Sequence, residues 1–272
     1  MNSHNPYKLP DGNVLISFSG GRTSAFMLHK ILEANGELPE RCKVVFANTG
    51  REMPETLDFV KRCSDEWNVH VDWLEYKRKD GKVSYEKVSH NMASRNGEPF
   101  RELCVSRSYL PNAVTRFCTE ELKVKTIKRF LSRNGWKRWF NTVGIRVDEA
   151  HRLRLSKDSR WVNWYPLADA KVTHNDVMRF WKGSKFDLAV KKGFGNCDGC
   201  FLKSEATIAA GWRDYPERMK WWKDMEDEIG STFHKSRSYH QVGEFVDKQG
   251  DWIFDDEALL CQADDGECTG DL

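Results

Sequence analysis

Ser19-Gly20-Gly21-Arg22-Thr23-Ser24 is the densest anion-binding grouping in the sequence. Two adjacent glycines let a backbone approach an anion closely. A helix starting at the loop would aim its unpaired N–H groups and positive dipole end at the same anion. Ser19, Thr23 and Ser24 add hydroxyl donors, and Arg22 adds a cation. The hexamer lacks the Gly-Lys-Ser/Thr ending of a Walker loop and the spacing of a GxGxxG fingerprint. Taken alone, it also reads as a tight strand-to-helix turn.

The cysteines are the second chemical grouping. There are eight: Cys42, Cys63, Cys104, Cys118, Cys197, Cys200, Cys261 and Cys268. A reducing compartment favours metal or redox use over disulfides. Cys197-Asp198-Gly199-Cys200 is a CxxC inside the glycine-rich stretch GFGNCDGCF. One CxxC serves equally as a redox pair, half a zinc site or half a cluster site. Cys118 and Cys104 lie upstream and bring the candidate thiolates to four. Cys42 and Cys63 read as buried apolar residues. The histidines are scattered, with no HxxxH pair and no arguable Ser-His-Asp set.

These groups need elements to hold them. Asn13–Phe18 reads as a buried strand, and apolar positions recur at helical spacing over Thr23–Ala34. Asn35-Gly36 stops that helix. Lys43–Ala47 is a second strand, Met53–Trp67 a second helix and Val69–Leu74 a third strand. The order β-α-β-α-β predicts an α/β fold: a parallel sheet, right-handed crossovers and a ligand site at the C-terminal strand ends. Residues 77–110 lack periodicity and read as an insertion or lid. Glu120–Asn134 reads as a basic helix, Trp139–Gly144 as a fourth strand, and a short extended piece ends at Trp164–Pro166. Asn175–Trp181 and Glu205–Ile229 read as helices, the latter broken near Pro216, and the last residues as a tail with a β-like piece at Trp252–Phe254.

The 272 residues suit one large domain with an appended part, at about 150 residues per domain. With 39% hydrophobic and 31% charged residues, disorder, collagen and coiled coil are poor fits. No apolar run approaches a membrane span, and the start MNSHNPYKLPDG has no signal-peptide core, so the expected location is cytoplasmic. The net charge of +2 hides an asymmetry. Leu122–Trp164 carries twelve Lys/Arg and three Asp/Glu, whereas Glu244–Leu272 carries ten Asp/Glu and one Lys. Trp136, Trp139, Trp161 and Trp164 sit in the basic stretch. Cations among aromatics fit a nucleotide or nucleic-acid partner, or simply a solvated face with core tryptophans.

SFSGGRTS resembles the pyrophosphate loop of the adenine nucleotide alpha hydrolase (PP-loop ATP pyrophosphatase) superfamily. Later segments resemble its branch of phosphoadenosine phosphosulfate (PAPS) reductase-like proteins. They are Asn48-Thr49-Gly50 with Pro54-Glu55-Thr56, Arg116-Phe117-Cys118-Thr119 with Leu122-Lys123, and Gly144-Ile145-Arg146 with Asp148-Glu149 and Arg152, followed by Tyr165-Pro166-Leu167. The matches run in order over about residues 13–203.

The resemblance implies a Rossmann-like, HUP-type parallel sheet with helices on both faces, in a nucleotide domain over 1–203. A cysteine-bearing helical extension with an acidic tail would follow over 204–272. It implies that Ser19, Gly20, Gly21, Arg22, Thr23 and Ser24 hold nucleotide phosphates, with Mg²⁺. Thr49 and Gly50 would lie near the adenosine, and Lys123 and Arg146 would meet phosphate or sulfate. Cys118, Cys197 and Cys200 resemble the ligands of the family's [4Fe-4S] cluster. Phe117 stands where the family has a further cysteine, so Cys104 would have to supply the fourth ligand, and zinc is the alternative metal.

Two activities share this fold. One is an ATP-dependent sulfur-transfer enzyme, similar to DNA phosphorothioation and tRNA thiolation enzymes. It would adenylate a nucleic-acid acceptor and take sulfur from a donor such as a cysteine desulfurase. The other is a PAPS or adenosine phosphosulfate reductase with a nucleophilic tail cysteine. Glu267-Cys268-Thr269-Gly270 resembles that tail only faintly, and its acidic neighbours would blunt the Cys268 thiol. The fuller SGGxxS loop favours the first. A nucleotide-binding subunit without catalysis is a third reading, distinguished by binding ATP without releasing pyrophosphate.

Overall fold

The structure, a computed structural model, describes residues 5–156 and 158–249. Its strands are β1 (Val14–Ser17), β2 (Cys42–Asn48), β3 (Val71–Lys79), β4 (Lys82–Val88), β5 (Trp139–Thr142) and β6 (Trp161–Trp164). They form a six-stranded sheet in the order β4-β3-β2-β1-β5-β6. Every neighbouring pair is parallel except β3–β4. The chain steps outward from β1 to β3, then returns to the far side of β1 as β5. The order therefore reverses between β1 and β5, where α/β sheets bind their ligands.

The helices are α1 (Arg22–Asn35), α2 (Pro54–Glu66), α3 (Glu98–Arg107), α4 (Thr126–Arg133) and the short α5 (Pro166–Asp169). They continue with α6 (His174–Lys182), α7 (Glu205–Asp214), α8 (Pro216–Ile229) and α9 (Tyr239–Gln249). A π-helical turn, Thr119–Lys125, leads into α4, and a 3-10 segment spans Val147–Arg152. The expected basic helix is thus a π-turn joined to an α-helix. No helix among the described residues is long and apolar enough to cross a membrane.

Strand parity assigns the two faces of the sheet. Val14, Ile16, Val44, Phe46, Val71 and Trp73 pack with α1, α2 and α6. Leu15, Val45 and Leu74 turn to the opposite face, against Phe130 and Leu131 of α4. Helices on both faces explain why Val14–Ile16 and Val44–Ala47 are apolar without interruption.

The segment read as an insertion over 77–110 is built differently. β3 runs on to Lys79, and a two-residue turn returns the chain as antiparallel β4. Asp80 (φ 50°) and Gly81 (φ 73°) both take left-handed backbone, the conformation an Asp-Gly hairpin turn requires. Mixed charges on this edge strand hide its period, because only part of it is buried.

A second apolar cluster joins Tyr76, Phe100, Leu103 and Leu122 to Ile208, Trp222 and Tyr239. Core packing therefore crosses residue 203. The helix over 205–229 breaks at Tyr215, ahead of Pro216, as the sequence predicts. The β-like piece at Trp252–Phe254, Cys261 and Cys268 lie outside the described residues.

Candidate active site

The loop Ser19–Ser24 joins β1 to α1 at the reversal point of the sheet. Gly20 takes φ +83°, and a Cβ there would lie 2.8 Å from Thr56 and 3.0 Å from Val60. The loop therefore needs glycine for conformation and for its seat on α2. No side chain caps α1, so its first-turn N–H groups point into the loop. Ser24 braces the turn: its Oγ accepts from the Ser19 amide (3.2 Å), pairs with Ser19 Oγ (2.8 Å) and donates to the Gly21 carbonyl (3.0 Å).

Arg146, 123 residues away, donates from Nη1 to Thr23 Oγ1 at 2.8 Å. Two of the segments singled out in the sequence thus meet at one loop. Arg146 is also held by Asp148 (3.1 Å) and by Glu149. Gly144 belongs to the same contact, since a Cβ there would lie 3.4 Å from the Ser24 Cα. Arg22 points elsewhere: it makes a two-pronged pair with Asp187 (2.7 and 3.0 Å) and donates to the Leu188 carbonyl at 2.6 Å. Its charge is used to dock residues 187–188, not to line the loop.

A cavity of about 120 Å³ opens beside the loop, on the α4 face. Its floor is Leu15 and Ser17 of β1, Val45 and Ala47 of β2, and Trp139, Asn141 and Val143 at β5. All are odd-numbered, as one sheet face demands. Its other walls include Ser19, Thr119, Lys123, Lys128 and Trp161. Ser17 Oγ donates to Asn141 Oδ1 (3.0 Å), and Asn141 Nδ2 to Asn163 Oδ1 (3.0 Å), a polar line across an apolar floor.

A second, smaller cavity of about 30 Å³ is lined by Cys118, Cys197 and Cys200, with Thr49, Arg116, Thr119, Lys123 and Asn196. Thr119 and Lys123 border both cavities. They are four residues apart in the π-turn, a helical irregularity that recurs at functional sites. Thr49 hydrogen-bonds through Oγ1 to Glu52 (2.9 Å) and lies 3.5 Å from Cys197 Sγ. It is therefore on the cysteine cavity rather than the first one. Gly50 turns with φ +81°, and its carbonyl accepts from Gly97 N–H.

Cys104 does not line either cavity. It is wholly buried among apolar residues beside Cys118, and burial pushes its thiol well up. Cys63 behaves likewise in the other cluster, and Cys42 is pushed up to about 12, mainly by burial. Burial, reinforced by the buried Glu52, also raises Cys197 well above an ordinary thiol, while Lys123 opposes the shift. So Cys197 stays protonated near neutral pH, and a bound cation would displace that proton. The described cysteines form no disulfide. Among the described residues no three His, Cys, Asp or Glu side chains converge as ligands of one metal ion.

Six cations of the basic stretch share three carboxylates within the molecule, which leaves the stretch net positive. Lys125 and Arg129 pair with Glu121, Lys128 and Arg160 with Asp158, and Arg146 and Arg152 with Glu149. Trp136 and Trp139 are buried core, and Trp139 stacks on Trp161 with ring centroids 5.3 Å apart. Of the two readings of these tryptophans, core packing holds for Trp136 and Trp139, and Trp139 with Trp161 also lines the first cavity. Sequence reasoning missed Arg51, Glu52, Asp198 and Trp222, which surround the CxxC. Their only sequence signal is that Arg51 and Glu52 follow Thr49-Gly50 and that Asp198 lies inside the CxxC.

The profile of the phosphoadenosine phosphosulfate reductase domain matches residues 13–189. The uncharacterized nin region protein ORF290 of Escherichia phage lambda is 29% identical over 210 residues, covering 74% of this chain and 69% of the phage protein. An uncharacterized protein of Methanocaldococcus jannaschii is 25% identical over 255 residues, covering 91% of this chain and 47% of its own length. Among solved structures, the U34-tRNA thiolase NcsA from Methanococcus maripaludis with its [4Fe-4S] cluster resembles 88% of this chain and 82% of its own. The sequence identity is 12% and the TM-score 0.45.

Proposed function

The chain belongs to the phosphoadenosine phosphosulfate reductase domain family, and from that premise we propose that it is an ATP-dependent sulfur-transfer enzyme. The observation that carries the reading is the shared wall: Thr119 and Lys123 border both the cavity at the phosphate loop and the cavity of three cysteines. A nucleotide and a sulfur-handling centre would then meet across one π-turn.

The adenine base would lie on Leu15, Val45, Ala47 and Trp139, with Ser17 and Asn141 as its polar contacts. The phosphates would lie on Ser19–Ser24, with Mg²⁺ accompanying them. An acceptor oxygen attacks the α-phosphorus, the bond to the β-phosphate breaks, and pyrophosphate leaves with the electron pair. The α1 N–H groups and Arg146 stabilise the leaving charge. Sulfide-level sulfur then forms its bond to the activated carbon or phosphorus as the bond to AMP breaks, a donor persulfide being first reduced by two electrons from a thiol reductant that leaves as a disulfide. Lys123 orients the nucleotide from the cysteine side. We propose nucleic acid as the acceptor and a sulfur-carrying protein, such as a cysteine desulfurase, as the donor.

Cys118, Cys197 and Cys200 fit a [4Fe-4S] cluster by donor chemistry, because all three are soft thiols around one enclosed space. Zinc, which also takes thiolate ligands, remains the alternative metal for the same three cysteines. When bound, the cluster would supply a site for sulfur. Cys104 stands behind Cys118 as the reserve fourth ligand.

The family's own designation supports a second reading, reduction of PAPS or adenosine phosphosulfate. One experiment separates the two. Protein purified without oxygen is assayed for iron and sulfide. It is then given ATP and Mg²⁺, with and without tRNA or DNA, and pyrophosphate is measured. Parallel samples receive PAPS or adenosine phosphosulfate with thioredoxin, and sulfite is measured. Iron together with nucleic-acid-stimulated pyrophosphate release is the expected result. Sulfite release without pyrophosphate selects the reductase, and neither product overturns both.

A further inference from the structure

The CxxC turn lies on no helix or strand, so its shape must be imposed from outside. Cys197 and Cys200 line the cysteine cavity, but Asp198 between them does not. Asp198 is fully buried behind the turn. Its carboxylate accepts hydrogen bonds from Arg51 Nη2 (2.5 Å) and Nε (3.3 Å), Trp222 Nε1 (2.8 Å), the Gly199 amide (2.7 Å) and Arg218 Nε. Its own amide donates to the Arg51 carbonyl at 2.9 Å.

The anchors are tied to one another. Arg51 donates to the Arg218 carbonyl (2.9 Å), and Arg218 donates to the Glu52 carbonyl (2.8 Å). Tyr239 Oη donates to the Gly199 carbonyl, and its ring stacks on Trp222 at 5.6 Å and 18°. A Cβ at position 199 would lie 2.4 Å from Trp222 Nε1, so only glycine fits against the indole. The turn is thus gripped from the residue 49–52 segment, from α8 and from α9.

A carboxylate between two prospective thiolates adds unwanted negative charge, which the two arginines offset. Buried ion pairs seldom add net stability over an apolar core. Here the pair supplies instead a single defined geometry, because the side-chain donors approach from two separate segments, residues 49–52 and α8. We infer that Asp198 is the positioning residue of the cysteine site, and that α8 and α9 set its geometry through Arg218, Trp222 and Tyr239. The inference rests on the proposed function only in taking these cysteines as metal ligands.

The test uses Asp198→Asn and, as a milder variant, Tyr239→Phe in the full chain. Metal-free protein is treated with a maleimide, and modification at each cysteine is followed by mass spectrometry. Cys63, fully buried in the other cluster, reports global unfolding. Cys197 and Cys200 should react about tenfold faster in the variants, the factor one lost hydrogen bond is worth to a local opening. Cys63 should not change. Iron retained after reconstitution should fall in the same order of variants. Unchanged reactivity at Cys197 and Cys200, or a rise that Cys63 shares, overturns the inference. If the wild type takes up no iron while the reactivities follow this pattern, the metal reading fails and the positioning role stands.

Discussion

Gly20→Ala tests the phosphate loop on physical grounds alone. An L-residue at φ +83° carries about 1–2 kcal/mol of backbone strain. The new methyl would also meet Thr56 Cγ2 at 2.8 Å, Val60 Cγ2 at 3.0 Å and Phe46 at 3.2 Å. Phe46 is buried in the sheet and Thr56 and Val60 in α2, so the collision resembles overpacking, about 1–3 kcal/mol. The total is about 2–5 kcal/mol. At roughly 2–4 °C per kcal/mol for a chain of this size, the melting temperature should fall by about 4–20 °C.

Gly230→Ala is the matched control, because Gly230 also takes left-handed backbone (φ 71°) but has nothing within 4 Å of its added Cβ. It should show the strain alone, about 1–2 kcal/mol. Thermal and urea unfolding measure both variants, and calorimetric titration measures ATP affinity. Gly20→Ala should melt below Gly230→Ala and bind ATP more weakly, since the loop must lift from α2. Equal melting temperatures would refute the packing of the loop on α2. Unchanged ATP affinity in a destabilised Gly20→Ala would refute its role in holding phosphate.

Arg22→Gln should lower stability by only about 0.5–1 kcal/mol, because water can replace the guanidinium at the exposed Asp187, and leave ATP affinity within about threefold. Arg146→Gln should weaken ATP about tenfold or more, as loss of a charge-assisted bond does; titration of both variants checks the contrast. Cys118→Ala, Cys197→Ala and Cys200→Ala should each cut the iron bound, whereas Cys104→Ala should keep most of it and lose about 1–2 kcal/mol to a small cavity; iron analysis and melting decide. Cys42, pushed by burial from 9.0 to about 12, should hold about a thousandfold less thiolate at pH 8 than an ordinary thiol. Its alkylation rate should therefore keep climbing with pH beyond 10, and a plateau near pH 9 would contradict the shift.

Local order accounts for what was legible in the sequence. Apolar runs bounded by Asn35-Gly36 and by Pro54 mark β1, α1, β2 and α2, because period and punctuation act over a few residues. β4 was missed although Asp80-Gly81 is a hairpin signal, since an edge strand buries too little to show alternation. The loop Ser19–Ser24 was readable for the same local reason. Arg22 was assigned to it by adjacency, and its Asp187 partner is 165 residues away.

The sequence by itself determined which residue types could do chemistry: two glycines for a left-handed turn, hydroxyls for anions and thiols for a soft metal. It also determined the alternation of strand and helix that carries them. Tertiary structure decided which of them meet. It brought Arg146 to Thr23, set Lys123 between two cavities and placed Cys118 with Cys197 and Cys200 while leaving Cys104 behind. It also paired part of the basic stretch with Glu121, Glu149 and Asp158. A spacing pattern records only the neighbours along one element, whereas these contacts join segments that the chain separates by tens of residues and only packing brings together.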